Sequence, residues 1–272
     1  AFATIFAAYR DTVINSYYGE MATVIQYPMS NTSWAAPKPA DEGYQIAYSV
    51  DADGNSIYTA DMTDEQKYEA ALQASISFFK AAGYTFDEAT GKFTAAPEGA
   101  EMTYEVIIPG GGTGDHPAFG ILTAAKEALA TIGITLQIND PSDSSVWNNA
   151  LEANTAEMWA GAWSATVDPD MYQIYHSDNA NGKGTNSNHY SIEDADLDEM
   201  IIAARNSADQ SYRKATYKEC LETILDWGVE IPTYQRQNAV VISTERVNVS
   251  TMTPDITTFW GWTNDIEKLE MN

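Results

Sequence analysis

The stretch WSATVDPDMYQIYHSDN, residues 163–179, carries one tryptophan, two tyrosines and three carboxylates. Asp168 and Asp170 are the kind of acid pair a glycoside hydrolase needs, one carboxyl to protonate the leaving group and one on the far side of the scissile bond. On an Asp-Pro-Asp turn, two side chains this close more often cap the turn or helix that follows. His116, His176 and His189 fall in three separate polar loops without the i, i+4 spacing or nearby cysteines of a zinc site, and they read as satisfied surface histidines. No serine sits in a G-x-S-x-G elbow, and the single cysteine, Cys220, lies in the helical pattern CLETILDW, where a buried inert thiol is expected.

Two loops invite a ligand reading and then fail it. DADGN, residues 51–55, begins like a calcium loop, but Gly54 is fourth instead of sixth and Met62 stands where the bidentate glutamate belongs. GGGTGDHP, residues 110–117, could cradle a phosphate at a helix N-terminus; it matches neither nucleotide-loop spacing, and Asp115 would oppose the phosphate, so a flexible turn is expected. The residues therefore predict no catalytic group, no metal site and no cofactor. Trp147, Trp159, Trp163, Tyr172 and Tyr175 remain open to two readings, core or the wall of a pocket.

The elements that must hold these side chains are those of an α/β protein. The chain has 272 residues, 44% of them hydrophobic, enough for one large domain or two modest ones. Fourteen basic against 39 acidic residues give a net charge of −25, which excludes a polynucleotide partner and disfavours an anionic membrane surface. Phe2, Ile5, Phe6 and Tyr9 recur at helical spacing from the very start, which predicts a piece of a longer protein, and no signal peptide or run of some eighteen apolar residues is present. Within residues 20–62, 27–39 read as extended loop and YQIAYSVDADGNSIYTA as two short strands around an Asp-Gly turn. Thr63 and Gln66 form a capping box for a helix over 63–82, ended by Gly83, and YTFDEATGKFTAAPEGA is a hairpin.

The strand MTYEVIIP, the helix PAFGILTAAKEALATIG and the strand ITLQIND make a βαβ unit with a right-handed crossover expected. A helix around SVWNNALEA and a strand EMWAGAW make a second unit, which puts the 163–179 stretch at the C-terminal end of a strand, where open α/β sheets bind ligands. Alternation would place Trp159 and Trp163 on one face. Two amphipathic helices follow in 194–207 and 210–227, separated by an Asp209 cap; EIPTYQRQNAVVIS reads as extended, and the tail exposes aromatics from Phe259 to Trp262.

FKAAGYTFDEATGKFT, ATIGITLQIND, WAGAWSATVDPDMY, NSNHYSIEDADLDEMI, YRKATYKECLETIL and VEIPTYQRQN, in this order, resemble the C-terminal lobe of the oligopeptide- and dipeptide-binding proteins of ABC importers. The likeness covers nearly the whole chain; it is the combination of motifs that is specific. It implies a periplasmic-binding-protein-like (type II) lobe with a mixed sheet flanked by helices, residues 1–250, and a tail, residues 251–272, that returns to an N-terminal lobe absent here. It also implies an extracellular or periplasmic, cell-surface-associated protein that closes on a peptide or other small solute and delivers it to a membrane permease without chemistry.

In that family the peptide lies along the strand that here reads AGAWSA, so Ala162 and Ser164 match its backbone contacts and Trp163 an aromatic of the pocket wall. The aspartate that pairs with the peptide amine is replaced by Thr166; Asp168, two residues on, is the first carboxylate that could take over, and Tyr172 completes the candidate set. The alternatives are a glycoside hydrolase fragment using Asp168 or Asp170 as acid, which would require a βα repeat around eight strands, and an adhesion module, which would have no pocket.

Overall fold

The computed structural model describes residues 1–254, 256–257 and 260–272, so Phe259 lies outside the described residues. Helix α1 (Phe2–Ala8) and helix α2 (Arg10–Tyr18) are followed by strand β1 (Ala22–Val24) and a long loop to helix α3 (Asp64–Ala81). Next come the hairpin β2 (Thr85–Asp87) and β3 (Lys92–Ala95), then β4 (Thr103–Ile107), α4 (Pro117–Thr131), β5 (Thr135–Asn139), α5 (Ser144–Glu152) and β6 (Met158–Trp159). The short α6 (Tyr172–Tyr175), then α7 (Ala195–Asn206), α8 (Gln210–Trp227) and β7 (Tyr234–Arg236) complete the order.

Local chemistry accounts for most boundaries. The Thr63 hydroxyl accepts from the Gln66 amide while Gln66 Oε1 accepts from the Thr63 amide at 2.8 Å, the full capping box. Gly83, at φ +92°, makes the left-handed turn that ends α3. Asp194 caps α7 and Asp209 caps α8, each through two backbone amides.

The parallel sheet has the order β5-β4-β6, with Thr103 opposite Thr135 and Val106 opposite Met158, so both βα units pair in parallel on either side of β4. Antiparallel pairing lies outside this sheet, in the β2/β3 hairpin and in β1/β7.

Two buried clusters form. One packs Ile134, Leu136 and Ile108 of the sheet against Leu129 of α4, Phe79 of α3 and Ile5 of α1. The other packs Leu197 and Ile201 of α7 against Tyr217, Leu221 and Ile224 of α8, with Tyr27 and Tyr175. Cys220 is fully buried there, and burial pushes its thiol up to about 12, as an inert core thiol requires. Among the described residues, no helix is long and apolar enough to cross a membrane.

Several extended segments are shorter than alternation suggests. The two strands expected in 44–60 reduce to one bridge, Val50 to Ser56, and Asp51 closes that turn by accepting from the amides of Asp53 and Asn55. EMWAGAW pairs only at Met158 and Trp159: the Ala160 amide makes a last bond to Ile107, where β4 ends, and nothing further along is left to pair with. Only Tyr234–Arg236 of the 230–243 stretch is a strand, and its partner β1 lies before the loop expected over 27–39, where no strand was read.

That return of the chain is tied by Arg10. Its side chain is buried and donates to the carbonyls of Ala7 (3.1 Å), Ile25 (3.0 Å) and Pro232 and to Gln26 Oε1 (3.1 Å). Removing a buried fork strands every acceptor it served. Arg10→Ala should lose about 3 kcal/mol of unfolding free energy in urea titration, and Arg10→Lys should recover only a minority, because one ammonium cannot span the acceptors. Full recovery by lysine would show that charge, not the fork, is what matters.

Candidate functional site: an aromatic wall at the sheet edge

Parallel pairing places the loops after β4, β5 and β6 at one edge of the sheet, and β4 has its successors on opposite sides, the arrangement that opens a crevice. The loop after β4 closes on the loop after β5. The Gly114 amide donates to Asp140 Oδ2 at 3.0 Å, and a Cβ at Gly110 would lie 2.6 Å from Asp140 Oδ1. Burial alone would raise the Asp140 pKa; the amides of Gly114, Gly112 and Gly110 and the nearby His116 outweigh it and hold the carboxyl below its ordinary value. The glycine loop that could have cradled a phosphate thus holds a carboxylate of its own chain.

The loop after β6 builds a cavity of about 200 Å³, walled by Trp147, Trp159 and Trp163 with Ala162, Glu152 and His189. Trp147 comes from α5 and is pinned by Nε1 donating to the Ala160 carbonyl at 2.9 Å. Gly161 makes the enclosure feasible, since a Cβ there would lie 2.8 Å from the Trp159 ring and 3.2 Å from Trp147. The His189 ring meets Trp159 edge-on at 6.0 Å, and its buried Nδ1 has no hydrogen-bond partner.

Behind the cavity the rings continue inward. Trp159 stacks on Tyr190 (5.4 Å) and Tyr190 on Tyr175 (5.7 Å), while Trp163 Nε1 reaches the Tyr190 hydroxyl at 3.4 Å. The stack ends on Glu230, whose carboxyl accepts from the Tyr175 hydroxyl at 2.8 Å and from Tyr190. Enclosure pushes its pKa up to about 7, against the pull of the two phenol donors.

Of the six candidate binding residues, Ala162 and Trp163 line this cavity; Ser164 and Thr166 follow on an exposed segment, and Asp168 and Tyr172 are drawn toward the helices. Asp168 accepts from Arg213 of α8 at 2.7 Å, and Asp170 pairs with Arg205 of α7 at 3.3 Å. Asp170 also accepts from the Tyr172 amide, the capping role its spacing suggested. Tyr172 donates to Asp178 and lies under the Arg205 guanidinium, 4.5 Å away. Both aspartates are ion-paired, and the parallel sheet has three strands among the described residues, where the hydrolase alternative requires a βα repeat around eight.

Trp159 and Trp163 do share a face, although no strand connects them. The reading of His176 as a surface histidine is corrected: it is buried, its Nδ1 accepting from the Asp178 amide, because the sharp turn after α6 folds it beneath Tyr172. His189, also read as a satisfied surface histidine, instead lines the cavity with its Nδ1 buried and unpaired, while Glu152, Tyr190 and Glu230 went unnoticed. A carboxylate inside the apolar run VEIP was the available signal for Glu230. Among the described residues, no three His, Cys, Asp or Glu side chains converge in a way that could hold a metal.

No protein-family model matches the sequence, and no curated protein matches it. Solved structures do. The oligopeptide-binding protein AppA from Bacillus subtilis, in complex with a nonapeptide, aligns over 100% of this chain and 47% of its own at 17% identity, with a TM-score of 0.62. NikZ from Campylobacter jejuni, in complex with Ni(L-His), aligns over 86% of this chain and 41% of its own at 16% identity and 0.61. The oligopeptide-binding protein from Thermus thermophilus, complexed with a pentapeptide, gives 91%, 39%, 15% and 0.64. The chain has the periplasmic-binding-protein fold of these structures and spans less than half the length of each.

Glu230 carries a pH prediction. Its folded pKa of about 7 lies above the ordinary value of 4.5, so the fold binds this proton more tightly than the unfolded chain does. The contribution is complete below about pH 4.5 and is lost as pH rises through about 7, at most about 3 kcal/mol. Urea unfolding from pH 4.5 to 7.5 should show this decline, and Glu230→Gln should flatten it. An identical pH dependence in the variant would mean that the carboxyl titrates normally.

Proposed function

We propose that this chain is one lobe of a solute-binding protein of an ABC importer, extracellular or periplasmic, that holds a small solute, an oligopeptide in the first instance, and makes or breaks no bond. The observation that carries the reading is the segment Gly161–Ala165. It is exposed, it lies at the C-terminal edge of the parallel sheet beside an aromatic cavity, and among the described residues none of its amides has a protein partner. An extended peptide could add to such a backbone as a further strand, with side chains entering the neighbouring cavity.

Structures of this fold contain a nonapeptide, a pentapeptide and Ni(L-His), which supports a solute role and leaves peptide as the preferred case. Ala162 and Ser164 would supply backbone contacts, Trp163 the wall and Thr166 a polar rim. Asp168 could anchor an amine only by exchanging Arg213 for it, so the ligand would be held chiefly by backbone and aromatic contacts. The missing lobe would form the second wall, residues 251–272 would lead back to it, and a membrane permease would receive the solute; no nucleic acid is involved.

Mass spectrometry of small molecules released from the denatured full-length protein should yield a defined solute. Trp163 is 44% exposed, so Trp163→Ala in the full-length protein should weaken that solute about tenfold or more while the melting temperature hardly moves. Lost stability with intact affinity would place Trp163 in the core instead. Because each wall supplies part of the burial, calorimetric titration of this chain alone should give a dissociation constant displaced from micromolar toward roughly millimolar. Equal affinities would mean that the site lies wholly within these residues.

A further inference from the structure

The cavity between Trp147, Trp159 and Trp163 has an unbalanced chemistry. Three of its side-chain donors are engaged: Trp147 Nε1 with the Ala160 carbonyl, Trp163 Nε1 with the Tyr190 hydroxyl and Asn148 Nδ2 with the Ser144 carbonyl. The charge it offers an occupant is negative. The lining contains no lysine or arginine; it contains the exposed carboxylate of Glu152, whose hydrogen-bond donor among the described residues is Asn186 at 3.5 Å. Indole faces present the negative side of the ring quadrupole, and the chain's net charge of −25 adds a field of the same sign.

An anion would meet repulsion here. A neutral polyol would find rings to stack on but nothing for the Glu152 charge to pair with. A positively charged group meets the rings with its flat or methylene faces and Glu152 with its charge. We propose that this cavity receives an organic cation, a guanidinium or alkylammonium group, carried by the bound solute. The assignment rests on the proposed solute-binding role and names the chemical class of ligand that role would take.

The test uses this chain with N-acetylarginine amide and its neutral isostere N-acetylcitrulline amide, read by the indole N–H signals in NMR. The arginine probe should shift tryptophan signals saturably in roughly the millimolar range, about fivefold to thirtyfold more tightly than the citrulline probe. Glu152 is exposed and its replacement leaves the fold intact, so Glu152→Gln should weaken the arginine probe about fivefold and leave the citrulline probe unchanged. Gly161→Ala, which crowds Trp159 and Trp147, should weaken both. Equal responses to the two probes, an indifferent Glu152→Gln, or no response to either at about 100 mM would each overturn the cation assignment. None of these touches the solute-binding role, which fails only if the full-length protein releases no solute and binds no peptide.

Discussion

A carboxyl group enclosed without a cation must find hydroxyl or amide donors, or its burial is prohibitive. Glu230 meets this demand with two phenols, and in doing so determines where the aromatic wall can stand. Tyr175 comes from α6 at the edge of the helical cluster, and Tyr190 from the loop before α7; both hydroxyls converge on one carboxyl that lies just before the return strand β7. With the two hydroxyls fixed, the rings stack, and Trp159 at the end of β6 lies on the outer face of that stack. One half-buried acid thus couples the sheet-centred core to the helical core. The indole of Trp163 is the outermost member of the same hydrogen-bonded chain.

The chain's acidity is put to local structural use in the same manner. Asp194 and Asp209 satisfy helix N-termini, Asp51 and Asp87 close turns, and Asp140 gathers the glycine amides that a phosphate-binding loop would offer to its ligand. Asp168 and Asp170 hold the turn after the site against two different helices, through Arg213 and Arg205. A carboxylate bound in any of these ways is screened from a solute. Glu152 differs because it stands on the last turn of α5, beside the tryptophans, with one distant amide for company.

Where the code was local, the sequence could be read. Thr63 and Gln66 three residues apart, Gly83 after an apolar stripe, and Asp209 between two amphipathic helices each act through neighbours in the chain, and the helices start and stop where those residues stand. The parallel pairing of β4 with β5 and β6 follows from strand, helix and strand in succession. Long-range effects were hidden. β1 forms only because β7 arrives from some 210 residues later, and EMWAGAW stops being a strand because β4 ends at Ile107. His176 is polar in sequence and buried in space, since burial was decided by the fold of the turn and not by its composition. The site was legible as a place, the end of a βα unit rich in aromatics. Its inner half, Tyr190 and Glu230, lay in other segments and carried no shared pattern.

An unpaired extended backbone at a sheet edge is ordinarily a hazard, because its amides and carbonyls are a template for any passing strand. Proteins blunt such edges with charge, proline or a covering element. Here Gly161–Ala165 carries no charged side chain and no proline, while the residues that would blunt it, Asp168, Pro169 and Asp170, are held aside on the turn by α7 and α8. Trp147 holds the carbonyl of Ala160, just before the segment, and Trp163 Nε1 reaches Tyr190 from within it. In the proposed binding role, such a backbone would meet part of the ordering cost of a strand-like guest within the fold. In that role, unpaired amides beside side chains tied into the fold would distinguish a binding edge from a frayed one.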